Sequence, residues 1–391
     1  MPFTGVEVQV LSSALFAYQN GHRSLNEGAY APAWAGDKKP ASESVPGTYA
    51  PQGASLFHPH EEPDMNYCRN LTMTVTTATL LALGGQSLAA WEIEDRANPE
   101  LPGRRIDVRH NSDLVAALIY GEGQMKTYLH VYDEHGNQLT MSGMDSDGAT
   151  LGRFPHHRGI FIGWNRIHSD LGHDDLWHMR PGGRIELAGF EAKAGPEAGT
   201  LDTSMHWRSR HAGDDANLLI VENRRLRIAR PDHRTMVDFD TKLTAQRDVR
   251  LEGDLQHAGV HYRAHHTVND RANQTAYLWE PTGIQDRGGR LISDDLKWVQ
   301  LVYPKGDNWY LVTQLNAPIN PTEELSWRDY GRFGFFHKDK LAAGESRKLS
   351  YQFIIEPVEA PETPGRLTDA EQARFRALAA AYYEAYVARF D

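Results

Sequence analysis

The 391-residue sequence contains a single cysteine, Cys68. One thiol closes no intrachain disulfide, and it excludes a zinc site built from cysteines. Basic residues are outnumbered, with 41 Lys and Arg against 52 Asp and Glu and a formal net charge of −11. A surface of that sign does not attract phosphate, which argues against a nucleic-acid partner or an anionic membrane. Long apolar runs are missing as well. The stretch Leu71 to Leu83 is the main candidate, and it is too short and too rich in Thr to span a bilayer. There is no Gly-rich phosphate loop, no βαβ rhythm and no His-Glu-x-x-His helix, so the usual signatures of nucleotide enzymes and zinc peptidases are absent.

What is present changes character along the chain. Residues 1–64 are rich in Pro, Gly, Ala and Ser and hold no lasting period. We read them as a disordered extension, or as sequence upstream of the true start at Met65. Residues 65–90 have the layout of a secretory signal: Arg69 early, a modest apolar middle, then Gly84-Gly85-Gln86-Ser87-Leu88-Ala89-Ala90. A periplasmic or secreted location follows as an expectation.

From Trp91 the sequence breaks into short alternating runs separated by turn residues. Val237, Phe239, Thr241, Leu243 and Ala245 share one face of an extended segment, as do Leu349, Tyr351, Phe353 and Ile355. Further strands are predicted around Leu129 and Val131, from Trp298 to Tyr303 and from Trp309 to Leu315. This pattern predicts a mainly β fold over residues 91–360, a large antiparallel sandwich. Thr368 followed by Glu371 forms a capping-box signature and opens a helical pattern in the last segment, 361–391.

Chemistry concentrates in three places. The densest is Phe154 to Gly183, which holds His156, His157, Arg158, Asp175, Trp177 and Arg180. Imidazoles exchange protons near neutral pH, and Arg clamps carboxylates or developing oxyanions. Adjacent His156 and His157 in an extended chain point to opposite sides, which leaves one of them free for a structural role. His168, His173 and His178 in the same region are the imidazoles that would hold a metal ion, at spacings that match no metal motif. No other cofactor is expected. The second place is Asp254 to Arg263, where His257, Gly259, His261 and Arg263 share one face of a strand; that face is either solvated or supplied with partners. The third is Trp327-Arg328-Asp329-Tyr330-Gly331-Arg332-Phe333, where Trp327 and Tyr330 suit a sugar ring and Arg328 and Asp329 suit hydroxyls, unless that pair is satisfied internally. Glu222 is a lone carboxylate in a strand-like run.

Pro155-His156-His157-Arg158-Gly159, Asp175-Leu176-Trp177, the segment 254–263 and the segment 327–331 together resemble a family of bacterial proteins labelled PmoA-like, or DUF6807. The resemblance covers roughly residues 100–357. It implies a fold similar to galactose-mutarotase-like sandwiches and a setting in polysaccharide degradation. Where relatives carry Asp-Thr-Lys-Glu-Gly, this chain has His257 in place of the Glu, so a different chemistry is implied if that Glu is catalytic. The methane-oxidation label is set aside, because the chain after residue 90 has no span-length apolar run.

These readings favour an extracytoplasmic carbohydrate-active protein, a lyase or hydrolase. His156, His157, Arg158, His261 and Arg263 are its catalytic candidates; Asp175, Trp177, His257, Trp327, Arg328, Asp329 and Tyr330 are its substrate-binding candidates. His with Arg suits a lyase or epimerase better than a hydrolase, which ordinarily uses paired carboxylates. Two rival readings remain: a non-catalytic glycan-binding or envelope structural protein, and a His-ligated metal oxygenase.

Overall fold

The computed structural model describes residues 90–391 apart from 146, 148, 179, 180, 214, 215, 255, 283–289, 294 and 322. The extension 1–64, the signal-like segment up to residue 89, and Arg180 lie outside the described residues.

The fold is mainly β, with strands that pair antiparallel. One sheet has nine strands in the order Trp91–Ala97, Arg104–His110, Asp113–Tyr120, Tyr128–Val131, Ile160–Trp164, Ala258–Arg263, Arg332–Phe336, Glu323–Arg328 and Arg290–Ser293. A second has eight, in the order Ala276–Glu280, Trp298–Lys305, Asn308–Asn316, Ser346–Val358, Thr235–Ala245, Leu218–Ala229, Ala198–Arg208 and Arg184–Ala194. A small sheet of four short strands joins Asp339–Leu341, Val249–Leu251, Ile167–Ser169 and Gly172–Asp174.

The two large sheets form a sandwich because each carries an apolar face of period two. Leu129, Ile160, Ile162, Trp164, Val260, Tyr262, Phe333 and Phe335 of the first meet Trp207, Val237, Phe239, Leu243, Leu349, Tyr351 and Phe353 of the second in one buried cluster. Rings bridge the layers: Trp164 lies 5.9 Å from Trp207, and Phe335 stacks on Tyr351 at 6.4 Å. The faces predicted for 237–245 and 349–355 are those that enter this core. Thr241, polar within that run, donates to Glu222 at 2.9 Å.

The outer face of the eight-stranded sheet is covered in part by the helix Asp369–Val387. Its Phe375, Ala379 and Tyr386 pack on Trp298, Val302, Leu311, Leu315 and Ile354. The capping box at Thr368 and Glu371 is formed in both directions.

The outer face of the nine-stranded sheet is different. Between the apolar residues of its central strands, the alternate positions are Phe161, Gly163, Gly259, His261, Arg263, Arg332, Gly334, Ser326 and Arg328. His261, Arg263, Arg332 and Ser326 are buried on this polar side. The segments 154–159 and 175–178, with Asp254, Gln256 and His257, gather against it.

Candidate functional site

The floor of the site is set by a register. His261 sits between Phe161 on one side and Gly334 on the other, and Gly334 in turn faces Ser326. Gly334 is required there: a Cβ would lie 2.6 Å from His261 Cγ, closer than packing allows. His261 has both nitrogens engaged. Arg332 Nη1 donates to its Nδ1 at 3.2 Å, which leaves Nε2 to donate to the Ala258 carbonyl at 2.8 Å. Burial first, and then the Arg332 charge, keep this imidazole neutral far below its ordinary pKa.

Over this floor lies Trp177, fully buried, 4.8 Å from His261 and 5.0 Å from Phe161. Its indole N–H donates to His157 Nε2 at 2.9 Å. An indole can only donate, so His157 Nε2 must accept and the His157 proton resides on Nδ1. That Nδ1–H is buried without a partner. Burial, His156 and two nearby Arg charges hold His157 neutral. The loop bearing it turns at Phe154, where the His157 amide bonds the Phe154 carbonyl, and tucks under at Gly159. Gly159 has φ +55, and a Cβ there would meet the Leu129 carbonyl oxygen at 2.4 Å.

The upper layer consists of three imidazoles. His178 lies 4.8 Å from His156 and 4.6 Å from His257, ring to ring. His178 and His257 are each held by the carboxylate three residues before. Asp175 Oδ2 accepts from His178 Nδ1 at 2.9 Å, and Asp254 Oδ1 accepts from His257 Nδ1 at 2.7 Å. A carboxylate in this state only accepts, so both rings donate from Nδ1 and present Nε2 as the nitrogen left for proton exchange. Burial tends to raise both carboxyl pKa values, but the hydrogen bonds from His178 and from His257 outweigh it. Asp175 is held below the usual carboxylate range and Asp254 well below it. Asn165 fixes Asp254 further, donating Nδ2 to Oδ2 at 2.7 Å while accepting the Asp254 amide at 2.9 Å. Among the described residues, no carboxylate is bonded to His156. Burial lowers its pKa to about 2, and its Nε2 is buried without a partner.

The profile of a family described as "Family of unknown function (DUF6807)" matches residues 105–365. The chain belongs to the DUF6807 family. The matched span contains every site residue named above. Comparison with curated proteins yields no match. Among solved structures, the DUF6807 chain is similar to the GH36 α-galactosidase AgaA from Geobacillus stearothermophilus, with 8% identity and a TM-score of 0.35. That match covers 62% of this chain and 39% of the other, so the chain spans about two-fifths of that protein's length. It is also similar to a galactose mutarotase related enzyme from Lactobacillus acidophilus, with 7% identity, a TM-score of 0.32, and coverage of 70% of this chain and 99% of the other. A galactose mutarotase-like protein from Lactobacillus casei matches at 8% identity and a TM-score of 0.30, over 68% and 100% of the two chains. Likeness at this level carries no functional argument.

In the DUF6807 chain, the residues singled out from sequence separate into groups. His156, His157, Asp175, Trp177, His257, His261 and Arg263 meet on one face of the nine-stranded sheet. Arg158 is occupied elsewhere: Nε donates to the Pro155 carbonyl at 2.7 Å, Nη1 to Gln124 at 3.1 Å, and the guanidinium covers the Tyr128 ring at 5.2 Å. It holds the loop rather than a ligand. The expected sugar platform is corrected too. Trp177 is sealed beneath the imidazoles with no exposed face, and Trp327 alternates with Arg328, so it points to the opposite side of the sheet. There Trp327 stacks against Tyr277 and Trp279. Tyr330 is buried under the exposed ring of Phe154 at 5.0 Å and beneath the Arg263 guanidinium at 4.6 Å. Asp329 is exposed at the turn.

The three imidazoles proposed for metal do not form one group. His168 and His173 face each other across a hairpin at 5.1 Å, with His168 beside Glu252, whereas His178 belongs to the upper layer. Among the described residues no set of three His, Cys, Asp or Glu side chains is arranged to hold a metal ion. Glu222 is structural: buried between the sheets, it bonds Arg224, Trp207 and Thr241.

Sequence reasoning missed Lys126, Asp254 as a partner of His257, and the role of Arg332. Lys126 is buried, donates to the carbonyls of Leu176 at 3.0 Å and Trp177 at 3.2 Å, and so pins the 175–178 segment. Burial draws its pKa down to about 7. The two Asp–His pairs had a signal in the repeated Asp-Leu-x-His spacing, Asp175 to His178 and Asp254 to His257.

Proposed function

We propose that this chain is an extracytoplasmic carbohydrate-active enzyme that cleaves a glycan by imidazole acid–base chemistry, with elimination preferred over hydrolysis. The observation that carries the reading is the pair of carboxylate-held imidazoles, His178 with Asp175 and His257 with Asp254, set ring to ring at 4.6 Å. Hydrolysis ordinarily needs one carboxylic acid kept protonated beside a second carboxylate. Asp175 and Asp254 are both held ionised, which removes them as proton donors. Elimination needs a base and an acid, and an imidazole can serve as either. The base takes the proton from the sugar carbon next to the acidifying group. The freed electron pair forms the carbon–carbon double bond. The C–O bond on the neighbouring carbon breaks, and the leaving oxygen takes its proton from the second imidazole. His156, 4.8 Å from His178, and the buried Trp177, 5.9 Å from His257, pack against the pair.

The test is a panel of extracellular polysaccharides assayed for reducing ends and, separately, for the ultraviolet absorbance of an unsaturated product. Elimination raises both signals and hydrolysis only the first. His178→Ala and His257→Ala are each expected to lower turnover about 10²–10⁴-fold. Unchanged turnover in both variants sinks the assignment, and glycan binding with no turnover by the wild type points to a binding protein instead.

A further inference from the structure

Three arginines occupy one row of the polar sheet face. Arg263 is the direct cross-strand partner of Arg332, and Arg332 is the direct partner of Arg328. Like charges placed opposite one another on a sheet destabilise it. Arg263 and Arg332 are buried, and Arg328 is half-buried at the end of the row nearer solvent.

The partners of the two buried members are neutral. Arg263 donates to the Tyr330 carbonyl, to Asn269 Oδ1 at 2.6 Å and to the Arg153 carbonyl at 3.5 Å. Arg332 donates to the Gln256 carbonyl at 2.7 Å, to His261 Nδ1 at 3.2 Å and to Ser326 Oγ at 3.2 Å. Among the described residues no carboxylate pairs with either, whereas Arg224, buried just as deeply, is matched by Glu222. A buried charge without a counter-charge is costly, so its persistence calls for an anion.

Unpartnered polar atoms point the same way. Among the described residues, Arg263 Nε, Arg332 Nε and His157 Nδ1 are buried with nothing to bond. All three are donors: the guanidinium nitrogens by their chemistry, and His157 Nδ1 because Trp177 fixes its tautomer. The Arg332 guanidinium lies 5.8 Å from the Trp177 ring that bonds His157, and Arg263 is its cross-strand neighbour, so these donors share one neighbourhood. Three buried donors with no acceptor imply an occupant that brings acceptors.

We propose that Arg263, Arg332, Arg328 and His157 form a carboxylate subsite and that the substrate is a uronate-bearing glycan. This rests on the acid–base reading above and adds to it where the acidifying group is seated. A carboxylate held by a guanidinium row stabilises the charge that develops when the neighbouring proton is removed.

The experiment is titration calorimetry of the wild-type protein with oligogalacturonides, oligoglucuronides and oligomannuronates, each beside its methyl ester and beside a sulfated neutral glycan. The acid form of one series is expected to bind about ten-fold or more tightly than its ester, the equivalent of one charge-assisted hydrogen bond. Arg332→Met and the less buried Arg328→Met, checked for folding by circular dichroism, are expected to erase that preference while the ester still binds. Equal binding of acid and ester, no binding of any acid, a preference for the sulfated glycan, or a folded variant that keeps the acid preference each overturns the subsite. Acid preference without turnover leaves the subsite standing and removes the enzymatic reading. Turnover of a neutral glycan without acid preference does the reverse.

Discussion

Replacing Asp254 by Asn tests the Asp–His arrangement without any knowledge of the substrate. The carboxylate takes His257 Nδ1 at 2.7 Å and the Gln256 amide at 2.9 Å on one oxygen, and Asn165 Nδ2 at 2.7 Å on the other. Asn165 cannot adapt, because its own oxygen is bound to the residue 254 amide. An asparagine at 254 therefore has two poor choices. With its oxygen toward His257, its NH2 meets the NH2 of Asn165. Flipped, it satisfies Asn165 but turns its NH2 toward the Gln256 N–H and toward His257 Nδ1, so both lose their acceptor. Either way a donor loses its acceptor, a cost of about 1–3 kcal/mol. Asp254 is 31% exposed, so water relieves part of this, and about 1–2 kcal/mol is expected at neutral pH. The pH dependence has a defined sign. Asp254 is held well below the usual carboxylate range, so its stabilisation is complete above the unfolded pKa of about 4 and is lost as pH falls through the folded value. Asn does not titrate there. The gap between wild type and variant in urea denaturation should be largest at neutral pH and shrink below about pH 4, with the urea slope unchanged. Nitrogen NMR of the imidazoles reports the His257 tautomer independently. Equal stability at neutral pH, or a gap that does not narrow in acid, refutes the reasoning.

The buried pair Glu222–Arg224, both side chains with no exposure, is expected to behave as structure rather than chemistry. Glu222→Gln should cost about 3–5 kcal/mol in urea denaturation. A joint replacement of both by Met should recover part of it, limited because Trp207 Nε1 and Thr241 Oγ1 lose their acceptor; a Glu222→Gln loss under about 1 kcal/mol would contradict this. The signal-like layout of residues 65–90 leads us to expect a secreted or periplasmic mature chain beginning close to Trp91. Amino-terminal sequencing of the protein isolated from its native cell checks it, and a terminus well upstream counts against it.

Local alternation was enough to read the sandwich. The runs 237–245 and 349–355 carried their core faces openly, and the outward set Gly259, His261 and Arg263 followed from period two alone. The terminal helix announced itself through Thr368 and Glu371, because a capping box is a short-range device. The site was legible only where one segment supplied its residues. Arg332, though inside the third cluster, was given no role because its meaning depends on standing opposite Arg263, 69 positions earlier in the sequence, and strand pairing over such separations leaves no local trace. Lys126 sits in an irregular stretch before a four-residue strand, where no period marks a buried side chain. The tryptophans misled for a different reason. An aromatic ring suits a sugar or a core equally well, and only the side of the sheet decides. Trp327 alternates with Arg328, so the two could not both face a ligand.

The polar side of the nine-stranded sheet is hard to account for as architecture. A sandwich already has its core between the sheets, and the opposite side of such a sheet can be left to water. Here that side is instead covered by the segments 154–159 and 175–178, which bury His157, His261, Arg263 and Arg332. Covering imidazoles and guanidiniums gains little apolar burial and strips them of water, which is unfavourable unless partners replace it. Some partners are internal, as with His261, which bonds Arg332 and Ala258. Others are missing, as at Arg263 Nε, Arg332 Nε and His157 Nδ1. The missing ones fall on the side of the arginine row, while the internally held Asp–His pairs lie above it. On the proposed reading, that division would set charge recognition and proton transfer in adjacent layers of one site, the arrangement required to hold an anionic group while a neighbouring proton is moved.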